Sequence, residues 1–406
     1  MAIRVIDDRM GASKTSAMIE YMNKRSAFQK FIFVTPFLSE VERIKEYCGF
    51  VEPKEDEKNR SKCESFKNLI LSKQNIVTTH ALFKHIDLEV VEILKDSGYI
   101  LVLDEVLDVV SETTLTQIDI EALISLGILK RTDNGNIEGG DEAVLKKYSG
   151  DWEYDNIVNN LLRHTLEFFG KEDDEKVALM WLFPIDLLQT FKDIYILTYC
   201  FDGYPLKSYL DLYNMKQEKY SVEIINPEAE YIDRQYRFIP YVKRSNKDIK
   251  SKIEILDGTV LNNIGEPKMS CTVTWYGRRF SNSNNSVQMR KNLLNVVRNR
   301  FNNRKQEDIM WTCFKKDSTA LYNDMLVESN FVQHNARATN AYMKKTSLVY
   351  LVNRFYNPII KRWFRTKGIN VNEDVFSLGE MTQWIFRSAI RNGEKIQIYI
   401  PSKRMR

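Results

Sequence analysis

Five cysteines, Cys48, Cys63, Cys200, Cys271 and Cys313, are scattered through 406 residues without a single CxxC pair. That spacing argues against a disulfide scaffold and a cysteine-based zinc module, and it suits a reducing cytoplasm. The only histidines, His80, His85, His164 and His334, show no metal-ligand spacing. No apolar run is long enough to span a bilayer. The opening MAIRVIDDRM lacks the apolar core of a signal peptide. There is no repeat and no low-complexity tract. A net charge of +4 permits a local basic track without establishing one. What the chain does have is a globular composition, 43% hydrophobic and 28% charged. Its 12% aromatic content can fill cores or stack on bases. The length favours two domains.

AIRVI, FIFVT, NIVTTH and YILVLDE read as buried strands. GASKTSAMIEYMNKR, LSEVERIKEYC, CESFKNLILS and EVVEILKDSG read as the helices between them. Nearly continuous apolar strands alternating with helices specify a parallel sheet covered on both faces. Residues 111–190 are less regular and read as an insertion, with a helix around NIVNNLLRHTLEFFG. DIYILTY then adds a core strand. The expected organisation is a first α/β domain over 1–215 and a second over 216–406. The second opens on the strands YSVEIIN and IEILDGTV, contains DIMWTCF, and ends on QIYIP. Its stretches SLVYLVNRFYNPIIKRWF and SLGEMTQWIFRSAIRNG read as helical.

Three constellations carry chemistry. Gly11, Ala12, Ser13, Lys14 and Thr15 lie between a strand and a helix. A phosphate there meets backbone amides at the positive end of a helix, a lysine for its outer oxygens and a hydroxyl for magnesium. Asp104 and Glu105 end the buried strand YILVLDE, at the sheet edge where ligands of open parallel sheets bind. An aspartate there can hold Mg²⁺ and a neighbouring glutamate can orient or deprotonate the attacking water. Gln383, Arg387 and Arg391 recur every four residues, a spacing that puts them on one face of a helix. Arginine forks suit phosphate oxygens. The bland alternatives are an ordinary strand–turn–helix, a strand ending in polar residues and a solvated basic face. The basic stretch RKNLLNVVRNRFNNRK divides evenly between a solvated helix and a nucleic-acid contact.

In this order, over two α/β halves, these motifs resemble those of superfamily 2 helicases, most closely the compact ones encoded by bacteriophages. The resemblance implies an α/β fold of two RecA-like parallel-sheet domains, with an ATP cleft between them and an insertion in the first. FVTPFLSEVERI, centred on Thr35 and Pro36, resembles a segment that contacts the nucleic-acid backbone, as does IVTTHALF with Thr78, Thr79 and His80. ILTYCFDG, around Thr198, resembles the motif coupling ATP state to domain closure. HNARATNAY, with Arg337, Thr339 and Asn340, resembles one that touches nucleic acid and nucleotide. The chain departs from the pattern in three places. Ser13 replaces the usual glycine, DEVL replaces the DEAD and DExH forms, and Phe386 stands where a glycine usually precedes the first arginine. The second arginine is also displaced, which leaves Arg387 and Arg391 both open as the finger.

The expected activity is therefore ATP- and Mg²⁺-dependent translocation on, or unwinding of, nucleic acid in a bacterial host cytoplasm. Lys14 would bind phosphates, Thr15 and Asp104 the metal, and Glu105 the water, with Gln383, Arg387 and Arg391 completing catalysis. The expected partners are single-stranded or forked nucleic acid, DNA by the phage resemblance, and replication or recombination proteins. No membrane is expected. The alternative from another class, kept open by Ser13, is an ATP-gated module that binds DNA or protein with little hydrolysis.

Overall fold

Phe31–Thr35 and Ile100–Asp104 are buried at every position, as strands covered on both faces must be. The computed structural model describes residues 1–56, 61–86, 88–132, 136–150, 154–170, 176–230, 233–277, 280–336 and 341–406. Along the described residues the strands are β1 (Ala2–Asp7), β2 (Phe31–Thr35), β3 (Ile76–Thr79), β4 (Ile100–Asp104), β5 (Val110–Thr116), β6 (Leu129–Arg131), β7 (Ile137–Gly139), β8 (Leu166–Phe169), β9 (Lys176–Leu182), β10 (Asp193–Thr198), β11 (Gln217–Ile224), β12 (Tyr236–Pro240), β13 (Ile253–Ile255), β14 (Ile309–Thr312), β15 (Ser347–Tyr350) and β16 (Ile396–Tyr399). They form a mixed α/β protein with two mainly parallel sheets.

The larger sheet has the order β12-β11-β1-β10-β4-β2-β3, parallel except for β12 at its edge. One of its faces packs Ile6, Met18, Met22, Phe33, Val41 and Val102 into a core. The smaller sheet, β13-β16-β15-β14, is all parallel. The stretch expected to be an insertion has a core of its own, including Leu115, Leu123, Leu129, Val158 and Leu179. There the antiparallel sheet β5-β9-β8 and the ribbon β6-β7 replace the parallel pattern.

The chain divides into two compact units. One comprises Met1–Asp8, Ala12–Val242 and Asn357–Val371; the other comprises Arg9–Gly11, Lys243–Tyr356 and Asn372–Arg406. The sequence places the boundary at 215/216, but β11 pairs in parallel with β1, and Val222 joins the first core. Strand pattern reports that a segment is half-buried, not which sheet buries it. The helix Pro358–Thr366 likewise returns to the first unit, where Lys367 Nζ pairs with Glu167 at 2.6 Å. Two helical expectations are corrected. SLVY is the fully buried strand β15, an apolar run too short for periodicity to distinguish from a helix. The helix in NIVNNLLRHTLEFFG spans only Asp155–Leu162, and LEFF is β8.

A backbone contact pins the second unit together. A β-carbon on Gly265 would lie 1.7 Å from the Pro401 carbonyl oxygen, in rigid backbone. Gly265→Ala is expected to cost about 1–3 kcal/mol or more, read as a lower denaturant midpoint. An unchanged midpoint would mean this packing is not stability-determining.

Candidate functional site

β1, β10 and β4 lie side by side, with Asp7 opposite Thr198 and Leu197 opposite Asp104. Parallel pairing brings their carboxyl ends to one edge of the sheet. Neighbouring strands are about 4.8 Å apart, so β1 and β4 are separated by roughly 10 Å across β10. The first turn of the helix Lys14–Asn23 closes that span: Thr15 Oγ1 donates to Asp104 Oδ1 at 3.1 Å. Thr35 Oγ1, ending β2, donates to Asp104 Oδ2 at 3.3 Å. Lys14 Nζ donates to the Asp8 carbonyl oxygen at 2.7 Å. The glycine-loop lysine, its threonine and the two acids of YILVLDE are thus brought together.

Backbone strain marks the same edge. Ser13 (φ 58°), Glu105 (φ 68°) and Cys200 (φ 59°) all adopt the left-handed conformation, in the loops after β1, β4 and β10. For a residue with a β-carbon this costs roughly 1–2 kcal/mol, and such strain concentrates at functional sites. It also explains Ser13. The position where related loops carry glycine demands positive φ, and serine meets that demand with strain. Gly11, at φ 79°, has no atom of the described residues within 4 Å of where a β-carbon would be, so the loop leaves open space there.

The site is strongly acidic. Burial pushes the Asp104 carboxyl up to about 7; Glu105 and Glu40 push the same way, and the bonds from Thr15 and Thr35 oppose them. Burial lowers the Lys14 pKa, against the raising effect of Glu105, Asp8, Asp104 and Asp7. Among the described residues, Glu105 Oε2 and Thr198 Oγ1 are buried without a hydrogen-bond partner. Two acids not singled out from the sequence belong here. Asp7 Oδ2 pairs with Lys219 Nζ at 3.1 Å, and Lys219 also pairs with Asp202 at 2.7 Å. Asp8 Oδ2 accepts from the Val222 amide at 3.0 Å. Their signal was the pair of acids ending AIRVIDD, the counterpart of the pair ending YILVLDE.

No cluster of three or more His, Cys, Asp or Glu side chains capable of holding a metal occurs among the described residues. The pair Thr15–Asp104 fits Mg²⁺ bound in a different way. That ion keeps several waters and takes one or two carboxylates together with substrate phosphates.

The expected nucleic-acid contacts are placed differently. Thr35, Thr78 and His80 are buried, and Pro36 is half-buried. The Thr79 hydroxyl accepts from the Leu82 amide at 3.3 Å, capping the helix His80–Lys84. Two of the hydroxyls expected to grip phosphates, those of Thr35 and Thr79, therefore hold the protein's own structure, because polar groups at buried strand ends need internal partners. Arg337, Thr339 and Asn340 lie outside the described residues.

The SPbeta prophage-derived uncharacterized protein YonV of Bacillus subtilis (strain 168) is 36% identical over 414 residues, spanning 100% of this chain and 97% of that protein. The chain belongs to the YonV family. The family model for the YonV C-terminal Rossmann-like domain matches residues 247–406. Among solved structures, S. tokodaii Xpd4 is similar with a TM-score of 0.47 and 10% identity, over 98% of this chain and 91% of that one.

Within this YonV C-terminal domain, Gln383, Arg387 and Arg391 do not form one helical stripe. The helix Glu373–Ile385 stops just after Gln383. Arg387 lies in the following turn, where its amide donates to the Trp384 carbonyl at 3.1 Å, and its side chain is buried. Arg391 is exposed on the 3₁₀ turn Ala389–Asn392, which Gly393 ends at φ 78°. The four-residue spacing suits a helix, but the chain must turn here to enter β16. Among the described residues, no helix is long and apolar enough to cross a membrane.

Proposed function

We propose that this protein hydrolyses ATP with Mg²⁺ and couples turnover to movement along, or opening of, nucleic acid. The reading rests above all on the hydrogen bond from Thr15 to Asp104 across β10, which joins the loop Gly11–Thr15 to the acids Asp104 and Glu105. Lys14 and the amides of Ala12 and Ser13 would bind phosphate oxygens. Thr15 and Asp104 would hold Mg²⁺, and Glu105, with its unspent buried oxygen, would position the hydrolytic water. Bound Mg²⁺ would supply positive charge to the phosphates and to Asp104, whose carboxyl burial holds protonated near neutrality. Gln383, Arg387 and Arg391 remain the second unit's candidates for catalysis.

The nucleic-acid part comes from the helicase resemblance. Preference for DNA follows from its phage character, with which the prophage origin of the YonV relative agrees. Replication or recombination proteins are the partners this role implies. The binding-only alternative drew on Ser13, which the left-handed backbone now accounts for as a strained but tolerated substitute for glycine.

The test is ATP turnover with Mg²⁺ across single-stranded DNA, duplex, forked DNA and RNA. Turnover should rise with single-stranded or forked DNA. It should fall to background in Lys14→Ala and persist or rise in Ser13→Gly, which removes the strain. Equal turnover in all three proteins would defeat the reading; tight ATP-dependent DNA binding without turnover would favour the binding module.

A further inference from the structure

A cavity of about 600 Å³ opens within the first unit, on the insertion. Leu179 and Ile360 give it apolar wall, and the half-buried Trp181 gives it an aromatic face. Two carboxylates line it, that of Asp108 and that of Glu112, on β5. Asn357 holds the Glu112 carboxylate in place. The Asn357 Oδ1 accepts from the amides of Ile359 and Ile360 at 2.9 and 3.1 Å, which caps the helix Pro358–Thr366 and fixes the side chain. Its Nδ2 then donates to Glu112 Oε1 at 2.9 Å. The other oxygen, Oε2, is buried and has no hydrogen-bond partner among the described residues.

A buried carboxylate oxygen without a donor is costly, and each such group in a folded protein calls for an explanation. Here the carboxylate lines a cavity, so a ligand can bring the donor. The cavity's own ammonium, that of Lys84, is paired with Asp108 at 2.8 Å. Apolar walls and an indole favour a flat ring, and a carboxylate favours a ring edge bearing adjacent N–H groups. Unpaired bases are recognised in this way, by stacking on an aromatic ring and by hydrogen bonds to the pairing edge. Guanine presents its ring N–H and its amino group side by side. Adenine and cytosine set one amino group beside an acceptor. Thymine sets its N–H between two carbonyl oxygens, which a carboxylate repels.

We propose that this cavity binds a guanine base, stacked on Trp181 and hydrogen-bonded to Glu112. The base has two sources, a single strand or a free nucleotide. Lys84 and His85, at the far end of the helix that begins at His80, line the same cavity. That helix of five residues spans roughly 7–8 Å, so a strand running over the carboxyl end of β3 reaches the cavity directly. This strand arm rests on the proposed function; recognition of the base does not.

The experiment measures equilibrium binding of oligothymidylates carrying one central guanine, adenine or abasic site, and of guanosine monophosphate by tryptophan quenching. The guanine strand should bind about tenfold tighter than the other two. Glu112→Gln should erase that difference without changing abasic-strand affinity or the melting temperature. Trp181→Phe should remove the quench. Glu112-dependent binding of guanosine monophosphate with no strand preference would overturn the strand arm and uphold the base site. No guanine preference in either ligand, or one that survives Glu112→Gln, would overturn the proposal. Guanine preference in a protein without ATP turnover would leave the cavity standing and the proposed function fallen.

Discussion

Glu105→Gln should lower ATP turnover by about 10²–10⁴-fold, the usual contribution of a positioned general base, and leave nucleotide affinity within a few-fold. The substitution preserves shape. It also preserves the backbone anchor, in which the Glu105 amide donates to the Leu197 carbonyl at 2.9 Å. What it removes is the carboxylate whose Oε2 is buried at the sheet edge without a partner among the described residues. A residue held at φ 68° for structural reasons alone would be better served by glycine. A bound nucleotide analogue followed by fluorescence and turnover followed by phosphate release give the two quantities. Full turnover in Glu105→Gln would remove Glu105 from the chemistry, and loss of binding in parallel would make it a structural residue.

The second large effect concerns Asp104 in metal-free protein. Burial raises its carboxyl in the folded state to about 7, against an unfolded value near 3.8. The folded state therefore holds the proton more tightly. Its stabilising contribution is complete below about pH 4 and is lost as pH rises through about 7. The difference between 3.8 and about 7 corresponds to something on the order of 4 kcal/mol. Asp104→Asn carries no such penalty. In EDTA, its stability relative to the unsubstituted protein should climb by that order between pH 4 and pH 8 and then level off. Mg²⁺ with nucleotide should stabilise the unsubstituted protein at pH 8 and not Asp104→Asn, because only a carboxylate rewards the cation. Urea unfolding at both pH values measures this. A pH-independent difference would show that Asp104 ionises freely in the fold.

Much of the first unit was legible because its strands are buried on both faces. AIRVI, FIFVT, ILVLD and DIYILT are nearly unbroken apolar runs, and all four became parallel neighbours in one sheet. The order of Lys14, Thr15, Asp104 and Glu105 along the chain was enough to expect them at one edge, since parallel strands present their carboxyl ends together. SLVY failed for the opposite reason: four apolar residues carry too little periodicity to separate strand from helix. The surroundings of Thr35 were not legible, because a hydroxyl at a strand end looks the same whether it faces a ligand or a buried aspartate. Thr35 faces Asp104.

The sequence by itself determined the local chemistry: which strands are buried, which loop can cradle a phosphate and which acids follow an apolar run. These are properties of neighbours along the chain, encoded in spacing and side-chain type. Tertiary structure alone decided what is remote. It assigned β11 and β12 to the first sheet, brought Lys219 to Asp7, and returned the helix Pro358–Thr366 to the insertion, where Asn357 holds Glu112. Asn357 and Glu112 are 245 positions apart. Contacts at that separation leave no periodicity in a single chain, because only packing brings the partners together.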